Sequence, residues 1–296
     1  MLRRILLTSA GAMALMGAAQ AAEPLPPPPP PPPSWTGFYA GINAGGTWTE
    51  VNSLSTVTTD AFDLSGGPFG TASAFLATTN TPLHPRASFL GGGQLGYNYQ
   101  WASIVAGFEA DIDGTSYGVR EQNISSSILV PGFPGTAIAQ TIGSSASTDF
   151  FGSVRGRLGY LITPTLLVYG TGGFAFGEEA ASTSITQTVI NNPIVPGPYG
   201  AFNRITSTKT GWTAGGGFEW MFMPKWTLKV EYLYFDLGDV VYGSSNPLFS
   251  FNAAGALFTE GIPVSRASFN ANIVRVGLNY QFYAWANEPV PVATKY

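Results

Sequence analysis

The chain contains no cysteine and a single histidine, and only 10% of its residues are charged. Each scarcity excludes something. Without cysteine there is no disulfide framework, no thiolate metal site and no lipid-modified N-terminal cysteine. The one histidine, His84, lies between Pro82 and Pro85 in a stretch with nothing to fix its geometry. A dyad with Asp60 or Asp63 is therefore a weaker reading than a solvated loop residue. A charge content this far below the roughly 25% of soluble domains argues against a water-exposed surface on all sides. Beyond the N-terminus no window offers the ~20 apolar residues of a spanning helix. A chain that is apolar, charge-poor and 14% aromatic, yet has no such helix, implies strands that face lipid.

The N-terminus reads as a targeting segment. Arg3 and Arg4 precede an apolar run from Ile5 to Ala19, and Ala19-Gln20-Ala21 is a small-x-small cleavage site. Residues 1–22 are thus a signal peptide, cut after Ala21 or Ala22. Removing Arg3 and Arg4 from the 13 basic residues leaves 11 against 17 acidic ones, a balance near −6 that disfavours nucleic acid as a partner. Residues 24–33 are proline apart from Leu25. At ~3.1 Å per residue, this polyproline II spacer holds the folded part about 30 Å from the mature N-terminus. Residues 23–36 form this linker, 37–282 the folded domain, and 283–296 a tail containing Pro289 and Pro291.

From Gly37 onward the pattern has period two, the signature of strands with unlike faces. In Phe269–Phe282, one face presents Val274, Val276, Leu278, Tyr280 and Phe282; the other presents Ile273, Arg275, Gly277, Asn279 and Gln281. Seven further segments repeat this, beginning near Phe38, Phe89, Ile104, Asp149, Thr165, Trp212 and Trp226. In the segment from Thr165, Val168, Phe174 and Phe176 are assigned outward, although Leu167 and Tyr169 favour the other parity. Connections alternate between short ones (Ala102-Ser103, 162–164, 223–225) and long Ser/Thr/Asn/Gly/Pro-rich ones (50–87, 114–148, 178–208, 239–268), a habit of transmembrane barrels. Stretches such as Ser182–Ile190 with Asn203–Thr208 extend these hairpins beyond the membrane. The fold class is all-β: an eight-stranded antiparallel transmembrane barrel with short periplasmic turns and four long extracellular loops.

Two sets of residues stand out. Trp101, Tyr160, Trp220, Trp226, Tyr280 and Phe282 fall at the short-turn rim and form an aromatic girdle at headgroup level. Glu109, Asp111, Arg155, Arg157, Glu219, Lys229, Glu231 and Arg275 take the opposite parity and form an interior charge network. Glu109 and Asp111 share one face as a general-acid pair would, but neighbouring arginines make charge balance the better reading. Gly172-Gly173 and Gly215–Gly217 lie in strands and are not phosphate loops. No metal-ligand cluster and no cofactor motif is visible, so no enzyme activity is expected.

Gly37-Phe-Tyr-Ala-Gly-Ile-Asn-Ala-Gly-Gly-Thr-Trp48, Thr163-Pro-Thr-Leu-Leu-Val-Tyr-Gly-Thr-Gly-Gly-Phe-Ala-Phe-Gly177 and Val274-Arg-Val-Gly-Leu-Asn-Tyr-Gln-Phe282 resemble the OmpA-like, porin-family small outer-membrane proteins, including the immunogenic outer-membrane proteins of alphaproteobacteria. The resemblance covers 37–282. It implies a barrel in the Gram-negative outer membrane, with lipid and lipopolysaccharide around it and the barrel-assembly machinery as a partner during biogenesis. Family members usually end at the aromatic matching Phe282, whereas this chain continues to Tyr296. The expected function is a structural, surface-exposed envelope protein that displays its loops, with both termini periplasmic. The alternatives are a narrow pore for small solutes and a soluble lipocalin-like binder, whose interior would be apolar and exterior charged.

Overall fold

The computed structural model describes residues 33–49, 53–59, 68–82, 87–191, 198–243, 248–251 and 257–282. The signal peptide, the proline run to residue 32, the tail from Tyr283, and Asp60, Asp63 and His84 lie outside these residues.

Eight long strands form the wall: β1 (Gly37–Thr49), β4 (Ser88–Trp101), β5 (Ile104–Leu129), β6 (Ala137–Thr163), β7 (Leu166–Ile190), β8 (Tyr199–Met223), β9 (Trp226–Gly243) and β11 (Leu257–Phe282). Each pairs antiparallel with its neighbour, and β1 closes the ring by pairing with both β4 and β11. Closure leaves the membrane part of the wall without an edge, as hydrocarbon requires. Three short turns join strands at one rim, and their neighbours tie them sideways. The Leu161, Met221 and Gln281 amides donate to the carbonyls of Ser103, Thr165 and Lys225 respectively, each at 2.8 Å. Ala102 (φ 53°) and Lys225 (φ 71°) adopt the left-handed backbone that such tight turns demand.

The opposite rim departs from the sequence reading. Most of 114–148 and 178–208 is not loop. β5 continues to Leu129 and β6 starts at Ala137, while β7 runs to Ile190 and β8 starts at Tyr199. Serine and threonine suit strands as well as loops when a hydroxyl faces water, so composition alone misassigns them. The segment 50–87 holds β2 (Ser53–Thr59), α1 (Pro68–Ala77) and β3 (Thr79–Pro82), and 239–268 includes β10 (Leu248–Phe251) and the outer part of β11. Where β1 ends, β2 takes its place: β11 pairs with β1 over Ala271–Phe282 and with β2 over Ile262–Ala267.

Candidate functional site in the barrel interior

Strand alternation sends one parity outward. Val168, Phe174 and Phe176 of β7 point out, while Leu167 and Tyr169 are buried inside. At the short-turn rim Trp101, Tyr160, Trp220, Trp226, Tyr280 and Phe282 all lie on the outer face, and the Tyr280 ring packs edge-on against both Trp226 and Phe282, at 5.1 Å in each case. A second aromatic set, which the sequence reading did not separate, exposes Trp48, Phe89, Phe174 and Trp212 further up. Trp212 and Trp220 bound the band on β8; eight residues span roughly 26 Å along the strand, or about 20 Å of height at a tilt near 40°, close to the apolar height of a barrel wall.

The eight charged residues singled out above meet in the lumen, all buried. The register places Glu109 opposite Arg155 and Glu231 opposite Arg275. Most of the other links reach beyond the adjacent strand. Arg155 also engages Asp111 (2.8 Å) and Glu231 (3.1 Å), and Lys229 reaches Glu109 (2.8 Å) although Glu219 is its strand neighbour. Arg157 reaches past β7 to Glu219 (2.6 Å), and Arg275 joins Asp111 (3.1 Å) and Glu231 (2.8 Å). Asp113, absent from the predicted set, accepts from Arg275 at 2.6 Å. In a lumen that side chains alone fill, unpaired charge is costly, and this mutual pairing offsets the loss of water.

Neutral residues complete the site. The Tyr39 hydroxyl donates to Glu109 (2.7 Å) and accepts from Arg157 (3.0 Å); the Tyr169 hydroxyl donates to Glu231 (2.9 Å). The Arg157 guanidinium also stacks 4.2 Å from the Tyr169 ring centroid. Tyr39 lies flat across β4 because residue 96 is glycine: a Cβ there would sit 2.5 Å from the tyrosine oxygen. Gln94 accepts from Lys229 (2.7 Å), and Asn279 donates to Glu219 (2.9 Å). All of these residues occupy the inward parity, so the alternation marked them, but only contact geometry separates partners from neighbours.

Apolar layers lie on both sides of the charges. On the turn side, Trp35 is 1% exposed; its indole N–H donates to the Pro164 carbonyl (3.1 Å) and its amide to Gln100 (2.8 Å). It packs with Val105, Leu167, Tyr169 and Met221, so this residue, assigned to the linker by sequence, belongs to the barrel. On the other side, Phe151, Leu233, Phe235, Leu237, Phe269 and Ile273 form a larger apolar cluster. Higher still, Gln140 donates to the Leu76 carbonyl (2.8 Å) and Gln187 to the Ser73 carbonyl (3.1 Å), fastening α1 across the lumen. A polar interior inside an apolar exterior inverts the arrangement of a soluble lipocalin-like barrel, and that alternative is set aside.

A family model described as outer membrane protein beta-barrel domain matches residues 7–282. The chain is 33% identical over 258 residues to the 31 kDa outer-membrane immunogenic protein of Brucella melitensis biotype 1, covering 84% of each chain. It is 23% identical over 289 residues to the 25 kDa outer-membrane immunogenic protein of Brucella abortus biovar 1, covering 95% of this chain and 99% of that one. Among solved structures, OprG from Pseudomonas aeruginosa aligns with a TM-score of 0.43 at 10% identity, covering 84% of this chain and 99% of its own.

Proposed function

The chain belongs to the outer membrane β-barrel family, and we propose that it is a closed envelope anchor that carries its extended hairpins outside the cell. The observation that carries this reading is the lumen itself. Four cations interlock with five carboxylates between the Trp35 layer and the phenylalanine-rich layer. Such a lumen supports a wall that displays surfaces rather than one that conducts. It also favours a non-enzymatic role, because Arg155 engages both Glu109 and Asp111, leaving neither free as a general acid or base. The kinship with proteins named for immunogenicity fits a role as surface antigen. Outer-leaflet lipid and lipopolysaccharide surround the barrel, and the barrel-assembly machinery inserts it.

An even strand number puts both barrel ends on the short-turn side, which we assign to the periplasm. Protease added to intact cells should then cut within 50–87 or 239–268 and spare a C-terminal tag. Selective loss of that tag would contradict this orientation. Failure to partition into detergent, or to change gel mobility on heating, would contradict the membrane assignment.

A further inference from the structure

We propose that the outward face of β5, β6 and β7 beyond the membrane is a groove for the saccharide chains of outer-leaflet glycolipid, an inference that rests on the outer-membrane placement above. The strand register aligns two rows of small side chains across this wall. Ser125, Thr141 and Thr186 form one row, and Ser127, Ala139 and Thr188 the next. Together with Ile190 they line an open groove of about 450 Å³. Their hydroxyls are exposed, and those of Ser125 and Thr141 lie 3.1 Å apart, each still able to bond outward. Beyond Thr115 the outer edge of β5 has no strand beside it among the described residues, so its backbone groups add donors and acceptors.

Three features select the occupant. First, none of the groove's lining residues is charged. Phosphate recognition relies on Arg, Lys or a bound cation, so the site suits the neutral hydroxyls of a sugar. Second, Ala139 and Ile190 add apolar contacts beside the hydroxyls, matching the mixed C–H and O–H faces of a pyranose. Third, height fixes the source. Thr186 lies twelve residues above Phe174; at ~3.3 Å per residue and a tilt near 40°, that is roughly 30 Å above the upper girdle. Headgroups extend only about 5–8 Å beyond the hydrocarbon. The groove therefore stands past the lipid phosphates, beside sugar chains anchored in the same leaflet. A paired sheet holds its hydroxyls in place, so little ordering is lost on binding.

The test uses the full-length barrel in detergent and Thr141→Val/Thr186→Val/Thr188→Val, which keeps shape and strand preference while removing three hydroxyls. Each is titrated with lipopolysaccharide bearing its core oligosaccharide, with lipid A alone, and with soluble core oligosaccharide. The unmodified protein should bind the saccharide-bearing glycolipid about tenfold or more tightly than lipid A, as a few net hydrogen bonds allow. The triple variant should lose that preference, and Thr186→Ser should keep it. Equal binding of the two lipids, or a preference that survives in the triple variant, would overturn the groove. Soluble core oligosaccharide binding as tightly as the glycolipid would overturn its assignment to the leaflet. Heat-dependent gel mobility in the same samples separates the two readings. Its presence without a saccharide effect faults the groove alone, whereas its absence in the unmodified protein faults the barrel reading and the groove together.

Discussion

The interior charge converges on two guanidiniums: Arg275 meets Glu109, Asp111, Asp113 and Glu231, and Arg155 contacts Glu109, Asp111 and Glu231 at once. Truncating Arg155 leaves these three buried carboxylates one cation short, with Lys229, Arg157 and Arg275 to share among them. Arg155→Ala should therefore lower unfolding stability by about 3–5 kcal/mol, as removal of one partner from a buried ion pair does. Urea titration of the folded barrel in vesicles measures this, and a change near zero would mean that water reaches the network freely. Glu179 presents the opposite case. It is 2% exposed above the membrane band, neither of its oxygens has a hydrogen-bond partner, and it lines a small cavity with Phe151, Phe235 and Phe269. Burial pushes its carboxyl up to about 9, against a weaker opposing pull from Lys209. The folded chain then holds this proton through the range from pH 4.5 to about 9, where the unfolded chain has released it. Stability from this group falls as pH rises across that window, and no further above it. Glu179→Gln should flatten the slope by up to about 1.4 kcal/mol per pH unit and leave the variant more stable than the parent at pH 8. Parallel pH profiles for the two proteins would refute the assignment.

At the scale of strands, alternation was the most informative signal in the chain. It marked the lipid face from Phe38 to Phe282 and the inward parity of every charged residue in the network. On that face, Val276→Arg and Leu228→Arg should each cost roughly 2–4 kcal/mol near the midplane. Both side chains point outward, in the wall between β9 and β11. Equal stability of both variants and the parent, in the same urea titration, would mean that the faces are reversed. The sequence was less informative beyond the membrane. There both faces of β5–β8 become rich in serine and threonine, so period two fades and hairpins look like loops. The helix α1 was missed for a related reason: Pro68–Ala77 carries no charged residue at either end to mark it, and its anchors Gln140 and Gln187 lie far along the chain. Trp35 escaped because a proline run precedes it. Only the closed rim, with Pro164 and Gln100 in place, turns it into a seal.

Taken as a whole, the molecule is a wall around stacked layers: Trp35 and its neighbours, then the ion pairs, then a phenylalanine-rich cluster, then α1. Each layer blocks passage by different physics. The apolar ones exclude water, and the charged one holds its groups in mutual bonds that a permeating ion would have to break. The central claim is that this barrel is closed, and single-channel recording in a planar lipid bilayer tests it most directly. The unmodified protein should give small or intermittent conductance, and Arg155→Ala with Arg157→Ala should raise the conductance while lowering stability. A steady, large conductance from the unmodified barrel would contradict the account and make the chain a pore.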